Sequence, residues 1–343
     1  MLPPFRFAPL LKVRAWGGSR LGAADGASPG SGPIGESWEL ADLPESIEHG
    51  QSRVAGGPFD GAMLRDLRSS RRADLLGIAE PGPSGAFPLL VKYLDARENL
   101  SLQVHPDAAY VARHPDAHLK TEAWFIVDCR PGARVYRGIR RATTRAEFID
   151  AVASGRALDH VESLEVSPGD CVFLPSGICH ALGAGILAAE VQTPSDTTFR
   201  VWDWDRNDPS RPLHLEQALE CMRFGSAQDD PTPARIRTTD APTLVGAGVV
   251  TRRMCRSGFF TIELLDAVAD TEIPVDETGL PEVWMTIDGL AAWRTASGAI
   301  DAGRGVTVLR PARVETGIVR LDRGTRVLRT FCGSALDRAL SSD

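Results

Sequence analysis

One short alternating stretch of the chain, residues 100–105, carries side chains suited to binding a ligand. Residues two apart in a strand point to the same face, so Ser101, Gln103 and His105 project together. The leucines and the valine between them supply the packed face. A glutamine and a histidine inside a β-barrel are poor core residues unless they bind something. The stretch therefore predicts a strand with one binding face.

Two later stretches place polar groups at the ends of apolar strands. Lys120-Thr121-Glu122 opens a run at 122–128 that is rich in aromatic and β-branched residues. Residues 169–180 are typical of a tight turn, a strand, a second turn at Pro175-Ser176-Gly177, and then His180 where the next strand begins. The three stretches together supply imidazole, amide, carboxylate and ammonium groups.

The elements that must position these residues are mostly short strands. They are predicted at 35–42, 89–96, 100–105, 122–128, 163–166, 170–175, 185–192, 197–204, 259–267, 282–294, 305–312, 317–322 and 325–331. Glycine and proline separate the strands at regular spacing, and helices do not alternate with them as in a parallel α/β sheet. The sequence therefore predicts a mainly β fold, a sandwich or jelly roll, in two β-rich units.

Helical patterns are few. They lie at 60–78 as one or two short helices, at 143–155, and at 213–222. The second begins with Thr144 and Glu147 at the spacing of a capping box. Residues 19–35 are rich in glycine, serine, alanine and proline, which favours a loop.

The length of 343 residues suits about two domains. The polar segment 225–243, rich in proline and threonine, indicates a linker. We therefore predict a first domain at 1–224, which includes an N-terminal extension, and a second at 244–343.

Composition limits the classes of protein that the chain can belong to. Hydrophobic residues make up 43%, charged residues 24%, and the formal net charge is −7, which argues against a nucleic-acid partner. No apolar run approaches the ~18 residues of a membrane-spanning helix, and the N-terminus lacks a signal-peptide pattern. We expect a cytoplasmic protein without a membrane partner. None of the six cysteines forms a C-x-x-C pair, which argues against a thiolate zinc site.

Lysine is rare in this chain. Arginine occurs 35 times, whereas only Lys12, Lys92 and Lys120 are lysines. Because an ammonium and a guanidinium are not interchangeable, a remaining lysine can mark a site that needs the compact charge. The alternative is that the three lysines occupy these positions by chance.

The stretch 169–180 resembles the second signature of the cupin superfamily, with Gly169, Pro175, Gly177 and His180 in place. The first cupin signature usually begins His-x-His, and Gln103 replaces its first histidine here. That variant is typical of type I mannose-6-phosphate isomerases.

The resemblance to this isomerase family covers roughly residues 10–206. It includes the motifs at 16–18, 35–40, 88–92, 100–107, 120–122 and 190–200, in the family's order. Only 57 residues separate Glu122 from His180, so the chain resembles the short bacterial form. The resemblance implies two cupin-type jelly rolls with a few short helices.

The resemblance also implies a set of functional residues. Four of them match zinc ligands: Gln103, His105, Glu122 and His180. This set suits one Zn²⁺ per chain, and it would also accept Mn²⁺, Fe²⁺ or Co²⁺. Arg200, Glu190 and Lys120 match active-site positions, and Lys92, Lys120 and Ser101 match positions that line the sugar or its phosphate.

The implied activity is the interconversion of mannose 6-phosphate and fructose 6-phosphate through a cis-enediolate. A base must move a proton between C2 and C1, and Glu190 is our first choice, with Lys120 or a metal-bound water as rivals. Arg200 is expected to stabilise the developing oxyanion. The small-molecule partner is thus a phosphosugar, and we expect a monomer or a weak homo-oligomer.

Other interpretations of the same residues stay open. Gln103 could be a core amide, Glu122 an exposed strand residue, and Glu190 a structural partner of Arg200. An isomerase of another phosphosugar, an iron-dependent cupin oxygenase and a non-catalytic sugar-binding cupin that keeps the metal remain alternatives. The segment 244–335 has no histidine, so we expect it to be a degenerate cupin with a structural role.

Overall fold

The structure, a computed structural model, describes residues 1–21, 32–206 and 208–333, and most of these lie in β-strands. The first strands are β1 (Phe5–Arg6), β2 (Leu10–Gly18), β3 (Ile34–Leu40), β4 (Leu90–Ala96), β5 (Leu102–Val104), β6 (Glu122–Cys129), β7 (Arg134–Ile139), β8 (Val161–Glu165), β9 (Cys171–Leu174), β10 (His180–Leu182), β11 (Ile186–Gln192), β12 (Phe199–Trp202) and β13 (Arg235–Ile236). The later strands are β14 (Thr243–Val245), β15 (Val249–Arg256), β16 (Phe260–Ala267), β17 (Thr271–Val275), β18 (Glu282–Asp288), β19 (Leu290–Thr295), β20 (Gly298–Gly303), β21 (Thr307–Arg310), β22 (Gly317–Leu321) and β23 (Arg326–Cys332).

The helices of the described residues are short. They are α1 (Leu64–Ser70), α2 (Arg72–Leu76), α3 (Ala108–Arg113), α4 (Arg145–Ala153) and α5 (Leu215–Cys221), with 3₁₀ turns at Gly57–Phe59, Pro83–Gly85, Ala157–His160 and Gly225–Gln228. The predicted helices at 60–78, 143–155 and 213–222 are confirmed, the first as the pair α1 and α2. Helix α3 was not predicted from the sequence. The mainly β fold class is confirmed.

The predicted loop at 19–35 lies largely outside the described residues, which resume at Gly32. Strand β3 then begins at Ile34. The predicted linker at 225–243 contributes strand β13, which lies at the edge of a sheet beside β9, and Phe173 donates its N–H to the carbonyl of Ala234 at 3.0 Å.

The described chain divides into two units, each made of separate segments. The first contains Met1–Leu10, Trp38–Lys92 and the chain from Ile236 onward, and the second contains Leu11–Ser37 and Tyr93–Arg235. The domain boundaries at 1–224, 225–243 and 244–343 stay a prediction. No helix among the described residues is long and apolar enough to cross a membrane.

The second unit contains most of a jelly roll made of two sheets, and strands β2, β3, β4 and β13 of this jelly roll each run across a boundary of the unit. One has the strand order β12-β5-β10-β7-β8, and the other has the order β13-β9-β6-β11-β4-β2-β3. A single apolar core joins the two sheets, with Trp124 and Val172 from one and Val135 and Leu182 from the other. Alternation along each strand sends these residues inward, so polar residues on the same face also enter the interior.

The outer face of the five-stranded sheet is covered by helices. Phe148 and Val152 of α4 and Leu219 of α5 pack with Leu102 and Ala181 of the sheet. Helix α4 begins with the predicted capping box, in which Thr144 and Glu147 satisfy each other's backbone N–H groups. These helices bury the side of the sheet that points away from the binding face.

The first unit contains a second jelly roll. Its sheets have the orders β1-β21-β18-β23-β16-β15-β14 and β17-β22-β19-β20, and Trp284 and Trp293 lie in their shared core. A buried ion pair joins Glu282 Oε1 to Arg310 Nη1 at 2.8 Å, and the Trp284 indole donates to Glu282 at 2.7 Å. The buried carboxylate of Glu282 is therefore already paired with the guanidinium of Arg310.

Candidate metal centre and active site

Three ligand-type side chains converge inside the jelly roll of the second unit. Ligand atoms of His105, Glu122 and His180 all lie within 4.8 Å of one another, and all three residues are buried. His105 Nε2 is 3.3 Å from Glu122 Oε2, and His180 Nε2 is 3.2 Å from Glu122 Oε1. The three stretches singled out in the sequence therefore meet at one point.

The unsatisfied atoms of this cluster fit a bound cation. Neither carboxylate oxygen of Glu122 nor Nε2 of His105 forms a hydrogen bond of good geometry with a described residue, although Lys120 Nζ and the Nε2 atoms of both histidines lie within 3.3 Å of the carboxylate. Buried polar atoms without hydrogen bonds are costly, and a divalent metal between them would remove that cost. Two imidazoles and a carboxylate are typical ligands of a zinc site that keeps a coordination position open.

The outer nitrogens of both histidines contact backbone carbonyls. His105 Nδ1 lies 3.2 Å from the Thr197 oxygen, and His180 Nδ1 lies 2.8 Å from the Ile178 oxygen. When Nδ1 carries the proton for these bonds, the lone pair of Nε2 faces the cluster. This is the arrangement that orients histidine ligands in metal sites.

Gln103 lies beside the cluster. It is opposite His180 in the β5–β10 pairing, and its Nε2 is 3.4 Å from His180 Nε2. The Ser101 hydroxyl donates to Gln103 Oε1 at 3.2 Å. The alternation predicted for 100–105 thus places Ser101, Gln103 and His105 together.

Electrostatics favour the forms of these groups that bind metal. Burial, and then the ammonium of Lys120, lower the pKa of His105 to about 3, so its imidazole is neutral. Burial alone would raise the pKa of Glu122, but the positive charge of Lys120 opposes that effect, and the pKa is held well below its usual range. Lys120 Nζ lies 3.0 Å from Glu122 Oε2. Since Glu122 is 0% exposed, it is not an exposed strand residue.

Glu190 lies one strand away from the cluster. On β11 it pairs with Trp124 of β6, while Gln192 pairs with Glu122. Glu190 is buried, and its Oε2 accepts a hydrogen bond from the Trp124 indole at 3.0 Å. The side chain therefore belongs to the row of inward-facing residues next to the cluster.

Arg200 lies on the other sheet, opposite Gln103 in the β12–β5 pairing. One Nη donates to the Pro212 carbonyl at 2.8 Å, and the buried Nε has no partner among the described residues. Burial and the charge of Arg211 lower the pKa of Arg200.

Lys92 belongs to the first unit, where it is buried with its Nζ 5.3 Å from the centre of the Trp38 ring. Its role in binding substrate stays a prediction.

One further inward-facing residue, Arg137 on β7, was missed because no strand was predicted at 134–139. The signal that could have found it is the alternation of Val135 and Arg137.

The jelly roll and its interior His-Glu-His cluster define the class of the protein, a metal-binding enzyme fold of the cupin type. A family model described as phosphomannose isomerase type I, catalytic domain, matches residues 5–124. The probable mannose-6-phosphate isomerase GmuF of Bacillus subtilis is 39% identical over 238 residues, which cover 68% of this chain and 72% of the relative. The chain belongs to the type I mannose-6-phosphate isomerase family.

Further matches agree with this assignment. A mannose-6-phosphate isomerase of Streptococcus mutans is 34% identical over 265 residues, which cover 76% of this chain and 78% of the relative. The crystal structure of the mannose 6-phosphate isomerase from Bacillus subtilis has a TM-score of 0.82 at 27% identity, covering 96% of this chain and 99% of that chain. The fold of the whole described chain is therefore that of this relative.

Proposed function

We propose that this protein is a metal-dependent aldose-ketose isomerase that interconverts mannose 6-phosphate and fructose 6-phosphate. The observation that carries the proposal is the buried cluster of His105, Glu122 and His180 in a chain of this family. Relatives that cover most of the chain bear the name of this activity.

The cluster and Gln103 would hold one metal ion, and we propose Zn²⁺ because two imidazoles and two oxygen donors suit it. When bound, the metal would supply Lewis acidity toward the sugar oxygens. The neutral His105 and the ionised Glu122 would hold the ion, and Ser101 would orient the amide of Gln103 through its hydroxyl.

We assign the proton transfer between C2 and C1 to Glu190. Its carboxylate is buried and held by the Trp124 indole, so it has a fixed position one strand from the metal ligands. Lys120 is the weaker candidate because its ammonium already pairs with Glu122. An ammonium in an ion pair is a poor proton acceptor.

Arg200 would stabilise the negative charge that develops on the enediolate oxygen. Its guanidinium is half-buried, where an electrostatic interaction is stronger than in water, and its Nε has no partner among the described residues. Ser101, Lys92 and Lys120 are the remaining candidates for contacts to the sugar or its phosphate.

A coupled assay tests this proposal directly. Fructose 6-phosphate formed from mannose 6-phosphate is measured before chelation, after chelation and after Zn²⁺ is restored. We expect activity to vanish with the chelator and to return with zinc, and Glu122→Gln to stay inactive in all three conditions. Activity that ignores chelation would contradict the metal requirement. A metal-loaded protein without activity would point to another phosphosugar or to a sugar-binding protein.

A further inference from the structure

An arginine that the proposed chemistry does not use lies in line with the metal ligands. Four neighbouring strands pair so that Arg200 is opposite Gln103, Gln103 is opposite His180, and His180 is opposite Arg137. Directly opposed residues share one face of a sheet. The four side chains therefore form a row with a guanidinium at each end, and the end residues are about 14 Å apart at a strand spacing of about 4.8 Å.

The face of this row is the interior of the jelly roll. Val135 is opposite Leu182 in the same β7–β10 pairing, and both belong to the core between the two sheets. Arg137 follows Val135 by two residues and shares its face. Its side chain thus enters the interior at the level of His180.

One hydrogen bond fixes the guanidinium and leaves its outer nitrogens available. Arg137 Nε donates to the Phe173 carbonyl at 2.8 Å. Neither Nη forms a hydrogen bond or an ion pair with a described residue. Burial lowers the pKa of Arg137, and the charge of Asp230 partly opposes that effect. A half-buried cation with two free donor groups is well suited to an anion.

The bond to Phe173 also shows on which side of the metal ligands Arg137 lies. Phe173 is on β9, and the sheet order β9-β6-β11 places Glu190 on the opposite side of Glu122. The candidate base and Arg137 therefore flank the metal ligands from two sides. An open-chain hexose 6-phosphate carries its dianion at the opposite end from the carbons that exchange the proton, so its two ends need separate partners.

We propose that Arg137 binds the phosphate group of the substrate and so determines specificity for a phosphorylated sugar. This inference rests on the proposed isomerase function. The two free Nη groups would donate a pair of hydrogen bonds to phosphate oxygens while the sugar carbons lie between Glu190 and the metal ligands. A guanidinium is the side chain best matched to such two-pronged contacts.

The variant Arg137→Gln tests the proposal, because its amide can still donate to the Phe173 carbonyl although its charge is lost. We expect the KM for mannose 6-phosphate and the Ki for inorganic phosphate to rise by about 10-fold to 100-fold, as expected for lost hydrogen bonds to a charged group. We expect kcat and metal content to change little. Arg137→Lys should recover part of the affinity.

Arg134→Gln is the matched control. Arg134 lies on the same strand with the opposite orientation, is exposed, and donates to the Ser163 hydroxyl. Its loss should leave KM and Ki unchanged. Unchanged KM and Ki in Arg137→Gln would overturn the proposal. A fall in kcat and metal content without a change in Ki would also overturn it, because that pattern belongs to a structural role.

A direct binding measurement separates this proposal from the proposed function. Titration of the zinc-loaded wild type with inorganic phosphate should show saturable binding that Arg137→Gln weakens, whether or not mannose 6-phosphate is converted. If the wild type is inactive but this binding is present, the isomerase proposal fails and the anion site stands. If Arg137→Gln does not fold, Arg137→Lys takes its place. Weaker phosphate binding by Arg137→Lys than by the wild type would support the anion site, and equal binding by the two proteins would overturn it.

Discussion

At the scale of single residues, the candidate site depends on which protonation state each buried group adopts. His105 and Glu122 lie in an apolar interior with Lys120 as the neighbouring cation. Burial and that ammonium keep the histidine neutral, and the ammonium keeps the glutamate ionised in spite of its burial. Both states are the ones that ligate a divalent metal.

The lowered pKa of His105 predicts how the stability of the metal-free protein depends on pH. The unfolded chain binds a proton at His105 near the usual value of 6.5, whereas the folded chain binds it only near 3. The free energy of unfolding should therefore fall as the pH falls from about 6.5 toward 3, by up to about 1.4 kcal/mol per pH unit from this group. Urea denaturation at several pH values measures the slope. His105→Gln should lose this contribution, and an identical slope in that variant would contradict the prediction.

The assignment of Glu190 as the base predicts that Glu190→Gln loses proton transfer at C2 of the sugar. The amide keeps the shape of the side chain but cannot accept the C2 proton, so solvent hydrogen exchange at C2 should fall by about 10²-fold to 10⁴-fold. Zinc content should stay normal because Glu190 is not among the proposed ligands. Exchange is followed by NMR in deuterated water, with the exposed Glu162→Gln as the control. Unchanged exchange would remove Glu190 as the base.

At the scale of elements, the helices on the outer face of the five-stranded sheet support the strands that carry Gln103 and His180. Helix α4 buries Phe148 and Val152 against this face, and its start is satisfied by side-chain caps. Helices this short depend on packing and capping more than on intrinsic propensity. The capping box was predicted from Thr144 and Glu147 because it depends only on local spacing.

Removal of this cap should cost a modest part of the stability. Thr144→Ala leaves the Glu147 N–H without its hydroxyl acceptor, and the free energy of unfolding should fall by about 1 kcal/mol. Thr144→Ser keeps the hydroxyl and should restore most of the loss. Urea denaturation of the three proteins checks this, and equal stability of all three would show that the cap is dispensable.

At the scale of the whole molecule, the part of the chain that the structure describes contains one cluster of side chains that could hold a metal ion, and it lies in the jelly roll of the second unit. The interior of the other contains the buried pair of Glu282 and Arg310 together with two tryptophans, and the sequence after His214 has no histidine. The buried guanidinium already occupies the carboxylate there. We therefore expect one metal ion per chain.

Metal binding should be visible as a change in the stability of the protein. Because the cluster of His105, Glu122 and His180 is assembled from distant segments, the unfolded chain lacks the metal site. Free metal at 100 times its Kd should therefore stabilise the folded protein by about 2.7 kcal/mol. Thermal unfolding with and without Zn²⁺ measures the shift, and metal analysis of the loaded protein measures the stoichiometry. Glu122→Gln should show no shift. A shift of equal size in that variant would show that zinc binds elsewhere.

Much of the fold and of the site could be predicted because the signals are local. Alternation placed Ser101, Gln103 and His105 on one face, and turn residues marked the strand that ends before His180. Helix α3 and strand β7 were not predicted because their sequences, at 108–113 and 134–139, are short and only weakly patterned. Because strand β7 was not predicted, Arg137 was not recognised as an inward-facing residue.

The sequence by itself determined which residues can ligate a metal and which faces of their strands they occupy, because side-chain direction follows from the local backbone. Only the tertiary structure decided that Glu122 meets His105 and His180, that Lys120 pairs with Glu122, and that Arg137 lies in one row with His180 and Gln103. Those contacts depend on the register between strands far apart in the chain, and the packing of the two sheets around one core selects that register.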